Sequence, residues 1–335
     1  MFRKIQLKNF RNHKEKTLIN DSKILLIQGD NSSGKTSIIE AINICLTKKS
    51  FRTNNIKQVV NKEEKESYII FNFESNGIQN VLKCNIADKT ELLLNERKVT
   101  ALEVKQLLKP IVMQHRTIVE FKYNKKTRIS FIDKSISNYF LIYEKIIKDF
   151  ERIYKIFYEN RESQDLLLKE TTANKLRELE REIVKLRLEF VDKINSFLPN
   201  KTQEVLGFGV YLKYKQTKTQ EQGIDSILKS FETIKKDDFI FVVEGDDIFE
   251  FKSQGENRMT MIMFIETLIE IDNEKDTTPK ILLLDDIFSD LDNNNIEKIL
   301  KILKNNEATT IVTLPKEIAI PDELNDSIEI AKIGE

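Results

Sequence analysis

Several residue types that often mark chemistry or flexibility are scarce here. In 335 residues there is no tryptophan, and there are two histidines, two cysteines, five prolines and nine glycines. With only His13 and His115, a histidine-rich metal centre is excluded. Cys45 and Cys84 stand in no metal-ligand spacing and are expected to be free thiols in a reducing cytosol. So few glycines and prolines leave no flexible linker and no low-complexity tract, and there is no internal repeat. No apolar run approaches the ~20 residues that a membrane helix needs. The opening MFRKIQLKNFRNHK lacks the apolar core of a secretory signal. The expectation is a cytoplasmic chain with no membrane partner.

What is present is an ordinary core and much charge. Hydrophobic residues make up 40% and charged residues 32%, above the usual quarter, as long solvated helices require. The length allows one large domain or two moderate ones. The net charge is zero but unevenly spread. Residues 1–60 carry 12 basic and 4 acidic side chains, whereas residues 271–335 carry 7 and 15. A basic N-terminal stretch attracts phosphate, whether of a nucleotide or of a nucleic-acid backbone.

Hydrophobic periodicity predicts α/β structure at both ends of the chain. RKIQLKNF alternates as a strand, KILLIQ (23–28) reads as a buried strand, and SIIEAINICL as an apolar-faced helix. SYIIFNFES, NVLKCNIA and TELLLNE suggest an antiparallel meander, and IVMQ (111–114) is a further strand. In the middle, Ile136, Phe140, Tyr143, Ile147, Phe150, Tyr154 and Phe157 form one near-heptad seam. Leu176, Leu179, Ile183, Leu186, Phe190, Ile194 and Phe197 form another. Two helices joined by a polar connection around 160–173, the second ended by Pro199, predict an antiparallel helical arm. Beyond 204, EVLGFGVYLKYK, DFIFVV and IFEFK read as strands and GIDSILKSFETIKK as a helix. ENRMTMIMFIETLIEI reads as a buried helix, KILLLDD and ATTIVTL as strands, and NNNIEKILKIL as a helix. The simplest architecture is a nucleotide-binding head built from residues 1–128 and 205–335, with an inserted helical arm at 129–204.

Two motifs carry chemistry. GDNSSGKT, residues 29–36, fits G-x-x-x-x-G-K-[ST] between an apolar strand and a helix. Gly29, Asp30, Asn31, Ser32, Ser33 and Gly34 form a loop whose amides face phosphate, at a helix start with positive dipole. Lys35 reaches the β- and γ-phosphates and Thr36 ligates Mg²⁺. KILLLDD places Asp285 at the end of a buried strand, where it can hold Mg²⁺ through water. Asp286 follows, placed to orient or deprotonate an attacking water. A third stretch, FKSQGENRMTMI (251–262), reads as the start of a buried helix dressed to receive an anion.

Together these motifs resemble an ABC-type ATPase head with a mixed sheet and an antiparallel β subdomain, and more closely the RecF family. NFRNHKE, GDNSSGKTSIIEAI with KKSFRT, RISFID (128–133), SQGENR and LLLDDIFSDLD match that family's segments in order. Departures are Ile129 in place of an arginine, and Glu256 and Asn257 in place of two glutamines. The family's G-P-H-R-D-D stretch before SQGENR is also missing. The resemblance implies a head-to-tail homodimer closing around two ATP molecules. Ser253, Gln254, Gly255 and Glu256 would then grip the γ-phosphate of the partner's nucleotide. It also implies that Arg11 reaches the nucleotide and that Gln114 is the Q-loop residue. Ser289, Asp290, Leu291 and Asp292 would line the dimer interface, Asp292 also being suited to cap the next helix. Thr313 or Thr310 stands where many ABC proteins place a switch histidine.

The function so implied is ATP-dependent DNA binding in recombinational repair, replication and the SOS response to DNA damage. The chain would bind single-stranded and gapped double-stranded DNA and load recombinase with RecO-like and RecR-like mediators. Weak DNA-stimulated ATP hydrolysis is expected, because Asp286 is one methylene shorter than the glutamate most ABC proteins use. Lys4, Lys8, Arg11, Lys14, Lys48, Lys49, Arg52 and Lys57 are candidate phosphate contacts. The alternatives are an SMC-like nucleotide-gated structural protein, a transporter's ATP-binding subunit, and a binder that hydrolyses nothing. Arms of about three heptads, roughly 40 Å at the helix rise, are short for an SMC protein.

Overall fold

The computed structural model describes residues 1–30, 32–160, 163–217, 234, 236–289, 291–314, 318 and 320–333. The chain forms two compact units, one of residues 1–118 with 276–335 and one of residues 119–275.

The first unit holds two sheets with a helix between them. Strands β1 (Phe2–Phe10), β2 (His13–Ile19), β4 (Ser67–Ser75), β5 (Ile78–Ile86), β6 (Thr90–Leu94) and β7 (Arg97–Lys98) form an antiparallel sheet in the order β2-β1-β4-β5-β6-β7. The predicted meander is its β4–β6 part, with Phe71 opposite Leu82 and Cys84 opposite Leu92. The second sheet is parallel, in the order β14-β3-β13-β12-β8. It comprises β3 (Ile24–Gln28), β8 (Lys109–Gln114), β12 (Lys280–Asp285), β13 (Thr309–Leu314) and β14 (Ile328–Lys332). Strands β3, β12 and β13 are buried at every position, as the apolar ILLI of β3 and ILLL of β12 suggest.

Helix α1 (Lys35–Thr47) is buried from Ser37 to Leu46 and shares one core with both sheets. That core accounts for a weak periodicity: a helix covered on both sides has no polar stripe to reveal it. Cys45 and Cys84 are both free and buried in it, and burial pushes the Cys45 thiol pKa well up, so these thiols are inert packing residues. A short helix α2 (Ala101–Lys105) starts with a Thr100–Glu103 capping box. Helix α10 (Asn293–Asn305) begins after Asp292.

The second unit is mostly helical. It contains part of α3 (His115–Tyr123), then α4 (Lys125–Tyr139), α5 (Tyr143–Glu159), α6 (Leu166–Asn195), α7 (Leu198–Leu206), α8 (Ile248–Phe251) and α9 (Gln254–Asn273). Its small sheet runs β11-β10-β9, with β9 Tyr211–Lys215, β10 Asp238–Val243 and β11 Asp246–Asp247. Phe121 contacts Phe131, Phe241 and Phe249, and Phe264 contacts Phe131 and Phe241, forming the aromatic core.

Several expectations for this region need correction. The first seam is two helices, because α4 ends at Tyr139 and α5 starts at Tyr143. The run from Ser137 to Ile142 is poor in strong helix formers, so the helix has little to carry it through. In α6 the fully buried position is Arg187 rather than Leu186. Pro199 does not end α6; it sits in the first turn of α7, where a missing N–H costs nothing. Residues 204–206 are the end of that helix, closed by Gly207. IFEFK is not a strand. Asp247 accepts a hydrogen bond from the Phe249 N–H and starts α8. The helix expected at GIDSILKSFETIKK lies largely outside the described residues.

The boundaries expected at 128/129 and 204/205 both fall inside this unit. A buried charge cluster shows what binds it together. Arg187 on α6 makes a two-oxygen contact with Asp133 of α4 at 3.0 Å each. It also donates to Tyr143 Oη at 2.9 Å and to Asp237 Oδ2, beside β10, at 3.2 Å. Arg128 pairs with Asp238 through Nε at 2.9 Å and Nη2 at 2.6 Å. Both charged ends of RISFID are thus wired inward, and the Arg187–Asp237 pair crosses the expected boundary.

Candidate nucleotide-binding site

The first unit's parallel sheet ends where β3 and β12 deliver the two motifs. The crevice at the carboxyl ends of parallel strands is where such sheets bind ligands. After β3 the chain turns through Gly29 and Asp30 into α1. A Cβ on Gly29 would collide with the Ile333 carbonyl oxygen. One on Gly34, at φ 99°, would collide with the His13 ring, so both positions require glycine. Gly34 caps α1 without a side-chain hydrogen bond, and no acid lies in the first turn. The first amides of α1 are therefore not covered by a side-chain cap, as an anion site requires.

Lys35 Nζ donates to the carbonyls of Gly29 at 2.5 Å and Asp30 at 2.7 Å. Burial pulls its pKa below the ordinary lysine value, against the opposing pull of Asp286, Asp30 and Asp285. Ser33 Oγ is buried with no hydrogen-bond partner among the described residues. Asn31 lies outside them, and Ser32 sits at φ 73°.

Thr36 Oγ1 donates to Asp285 Oδ1 at 2.9 Å across 249 residues of sequence. Gln114, opposite Asp285 at the end of β8, donates to Asp285 Oδ2 at 3.2 Å. Thr313, at the end of the intervening β13, donates to Asp285 Oδ1 at 2.9 Å. Thr310 lies at the start of that strand, fully buried, whereas Thr313 lies at the end that meets Asp285. Asp286 adopts φ 56°, lines the cavity, and accepts a hydrogen bond from Ser289 Oγ.

The hard oxygens of Thr36 and Asp285, side by side, fit Mg²⁺, which usually takes one or two protein oxygens and completes its octahedron with phosphate and water. Among the described residues no group of three or more His, Cys, Asp or Glu could hold a metal alone. The donor set therefore suits a metal that arrives with phosphate.

A cavity of about 800 Å³ opens beside the loop, lined by Gly34, Lys35 and Thr36, by Asp286 and Thr313, and by residues from three further segments. These are Arg11 and Asn12 from the β1–β2 turn, Arg52, and Gln58 with residues 60–63, the last segment marked by no motif. Arg11 gives Nε and Nη2 to the fully buried Glu40 of α1 at 2.9 and 2.6 Å, and Nη1 to the Gln58 carbonyl at 3.0 Å. Glu40 also receives Ser50 Oγ at 2.5 Å and Arg52 Nη1 at 3.4 Å. Asn61 Nδ2 ties the Arg11 carbonyl at 2.9 Å. His13 reaches the Gly34 carbonyl at 3.2 Å, and burial holds its pKa below the usual histidine value, against the upward pull of that hydrogen bond. Sequence reasoning missed Glu40, Asn61 and Lys62. The only signal for Glu40 was a carboxylate in an otherwise apolar helix. Of the proposed phosphate contacts, Arg11, Lys14, Arg52 and Lys57 pair with acids of this chain.

The second unit's helix start expected to face an anion has the opposite local design. Ser253 caps α9, accepting from the Glu256 N–H at 3.2 Å, while the Glu256 carboxylate turns back to accept from the Ser253 N–H at 2.8 Å. Burial raises the Glu256 pKa, but hydrogen bonds from Ser253 and the charge of Lys252 outweigh it and leave it below the ordinary value. Asn257 and Arg258 are buried. Farther along, Leu291 is buried and Asp292 caps α10, accepting from the Asn295 N–H at 2.8 Å. Asp290 lies outside the described residues.

Residues 1–320 match the family model described as RecF/RecN/SMC N terminal domain. The DNA replication and repair protein RecF of Clostridioides difficile (strain 630) is 30% identical over 336 residues, 90% of this chain and 87% of that protein. Its counterpart from Clostridium botulinum (strain Eklund 17B / Type B) is 27% identical over 98% of this chain and 97% of its own length. Among solved structures, the recombination mediator protein RecF-ATPrS in the RecFOR pathway has a TM-score of 0.74 at 22% identity. It covers 98% of this chain and 97% of that one. An Smc head bound to the C-winged helix domain of ScpA has a TM-score of 0.59 at 16% identity, covering 99% and 94%. At these identities the structures show a shared fold, that of RecF and SMC ATPase heads. The family model and the C. difficile relative together place this chain in the RecF family.

Proposed function

We propose that the chain binds ATP with Mg²⁺ in the cavity beside Gly29–Thr36 and acts as an ATP-gated DNA-binding protein of recombinational repair and replication. The observation that carries the nucleotide reading is the 2.9 Å hydrogen bond from Thr36 to Asp285. It joins the loop's last hydroxyl to a strand-end carboxylate in the arrangement that Mg²⁺–nucleotide sites use. Residues 29–36 would wrap the phosphates, Lys35 exchanging its two carbonyl partners for β- and γ-oxygens. Thr36 and Asp285 would hold Mg²⁺, which neutralises phosphate charge when bound. Asp286 would orient the attacking water and take its proton, supporting slow ATP hydrolysis. Gln114 would report on the metal through Asp285. Arg11, anchored on Glu40, would flank the nucleotide.

The nucleotide site belongs to the unit of residues 1–118 with 276–335, and the expected arm, residues 129–204, lies within the unit of residues 119–275. Two copies associate head to tail on ATP, each offering Ser253–Glu256 to the other's nucleotide, with residues 289–292 at the interface. The DNA reading draws on the RecF relatives and on the basic N-terminal third. Its targets are single-stranded DNA and gapped duplex, with RecO-like and RecR-like mediators as partners in the cytoplasm. The reading is tested by titrating gapped DNA with the protein at 50 and 200 mM salt, with and without ATP and Mg²⁺. Six or more phosphate contacts predict an affinity falling by about 10³-fold or more between those salts, with little sequence preference. ATP-independent, salt-insensitive binding would contradict it.

A further inference from the structure

Strand β13 runs between β3, which feeds the phosphate loop, and β12, which ends at Asp285. Its Thr313 is 1% exposed yet contributes to the cavity wall. The hydroxyl does two things at once. It donates its one proton to Asp285 Oδ1 at 2.9 Å, and it accepts the Asp286 N–H at 2.9 Å. Asp285 Oδ1 is the same oxygen that receives Thr36 Oγ1. Asp286 takes a left-handed backbone, at φ 56°, a region that aspartate enters more readily than most L-residues, and the hydrogen bond from its N–H to Thr313 holds it there. One hydroxyl therefore ties two consecutive carboxylate residues to a strand that belongs to neither motif.

We propose that Thr313 is a positioning residue of the nucleotide site. Its hydroxyl fixes the Asp285 oxygen against Thr36 and holds Asp286 in the turn from which its side chain reaches the cavity. This rests on the ATP·Mg²⁺ reading of the cavity. A threonine here carries out the positioning without a titrating group, so this position adds no charge step near neutral pH. Valine matches threonine in shape but can neither donate nor accept. Serine keeps the hydroxyl and loses only a methyl group.

The test compares wild type, Thr313→Val and Thr313→Ser. Binding of a slowly hydrolysed ATP analogue is measured in EDTA and in Mg²⁺, and ATP turnover is measured separately. Second-sphere hydrogen bonds of this kind are worth about 10–100-fold in metal affinity or activity. The valine protein is expected to bind the analogue in EDTA within about twofold of wild type, to lose about tenfold of the Mg²⁺-dependent gain with KM for ATP rising in step, and to lose about tenfold in kcat. The serine protein stays within about threefold throughout. Where the valine protein does not fold, Thr313→Ala supplies the same comparison. A hydroxyl-free variant that keeps the full Mg²⁺ gain and turnover overturns the proposal. So does one that loses affinity equally in EDTA and in Mg²⁺, since that is a packing effect. Wild type that binds no nucleotide at all overturns the ATP reading itself, a result distinct from either.

Discussion

The sequence marks two helix starts in this chain for anions, and they are built in opposite ways. Helix α1 begins at Gly34 with no side-chain cap and no acid in its first turn. Helix α9 begins at Ser253 with a complete capping box that places the Glu256 carboxylate on its own N-cap. The first start leaves its donors for a ligand; the second has enlisted two of them already. The same contrast runs through the two units. Beside the first, Arg52 and Lys62 line an open cavity. In the second, Arg187 is sealed among Asp133, Asp237 and two tyrosines.

The largest expected effect tests whether the second unit's charges are structural. Arg187→Leu strands Asp133 and Asp237 and should lower stability by about 3–5 kcal/mol in denaturant titration. ATP affinity of the folded protein should stay within about twofold of wild type. An unchanged unfolding midpoint would remove this half of the contrast. Next comes Lys35→Ala, expected to weaken ATP binding by about 100-fold by calorimetry, since it deletes a charge-assisted bond to phosphate. Its stability should change by less than about 0.5 kcal/mol. A large stability loss would mean that the lysine's carbonyl contacts matter more than its ligand.

A smaller effect is expected at Glu256. Glu256→Gln keeps an acceptor for the Ser253 N–H, so melting should show a loss below about 1 kcal/mol. Removing the negative charge should strengthen ATP-driven association by about three- to tenfold. Weaker association would show that the carboxylate helps rather than opposes the partner's phosphate. The smallest effect is at His13. Its pKa in the folded protein lies below the ordinary histidine value of about 6.5, so the unfolded chain binds the extra proton more readily. The stability gained from a neutral His13 is complete above that value and lost as pH falls from it toward the folded pKa. Unfolding midpoints between pH 7 and 5 should therefore fall more for wild type than for His13→Gln.

Much of the nucleotide site was legible because it is encoded in runs. Gly29, Gly34, Lys35 and Thr36 lie in eight consecutive residues, and ILLLDD states its own burial and its terminal acids. What could not be read lies in single residues supplied by distant segments. Glu40 looks like one polar position in an apolar helix, and Asn61 belongs to no pattern. The heptad seams gave the arm helices but not the break at 140–142, where spacing continues although the backbone does not. Arg187 escaped notice because a buried arginine on a helix is indistinguishable in sequence from an exposed one; its acids lie 54 and 50 residues away. IFEFK alternates like a strand, yet Asp247 caps it into a helix.

The most direct test of the composite-site account is a mixing experiment by light scattering, using Lys35→Ala and Ser253→Arg proteins with ATP and Mg²⁺. Wild type, 39.3 kDa as a monomer, should double in mass. Each variant alone should remain monomeric, the first because it holds no ATP and the second because it cannot grip its partner's. An equimolar mixture should form a heterodimer with one nucleotide, at the site combining the intact loop of one chain with the intact Ser253 of the other. A mixture that stays monomeric under conditions where wild type dimerises would contradict the account.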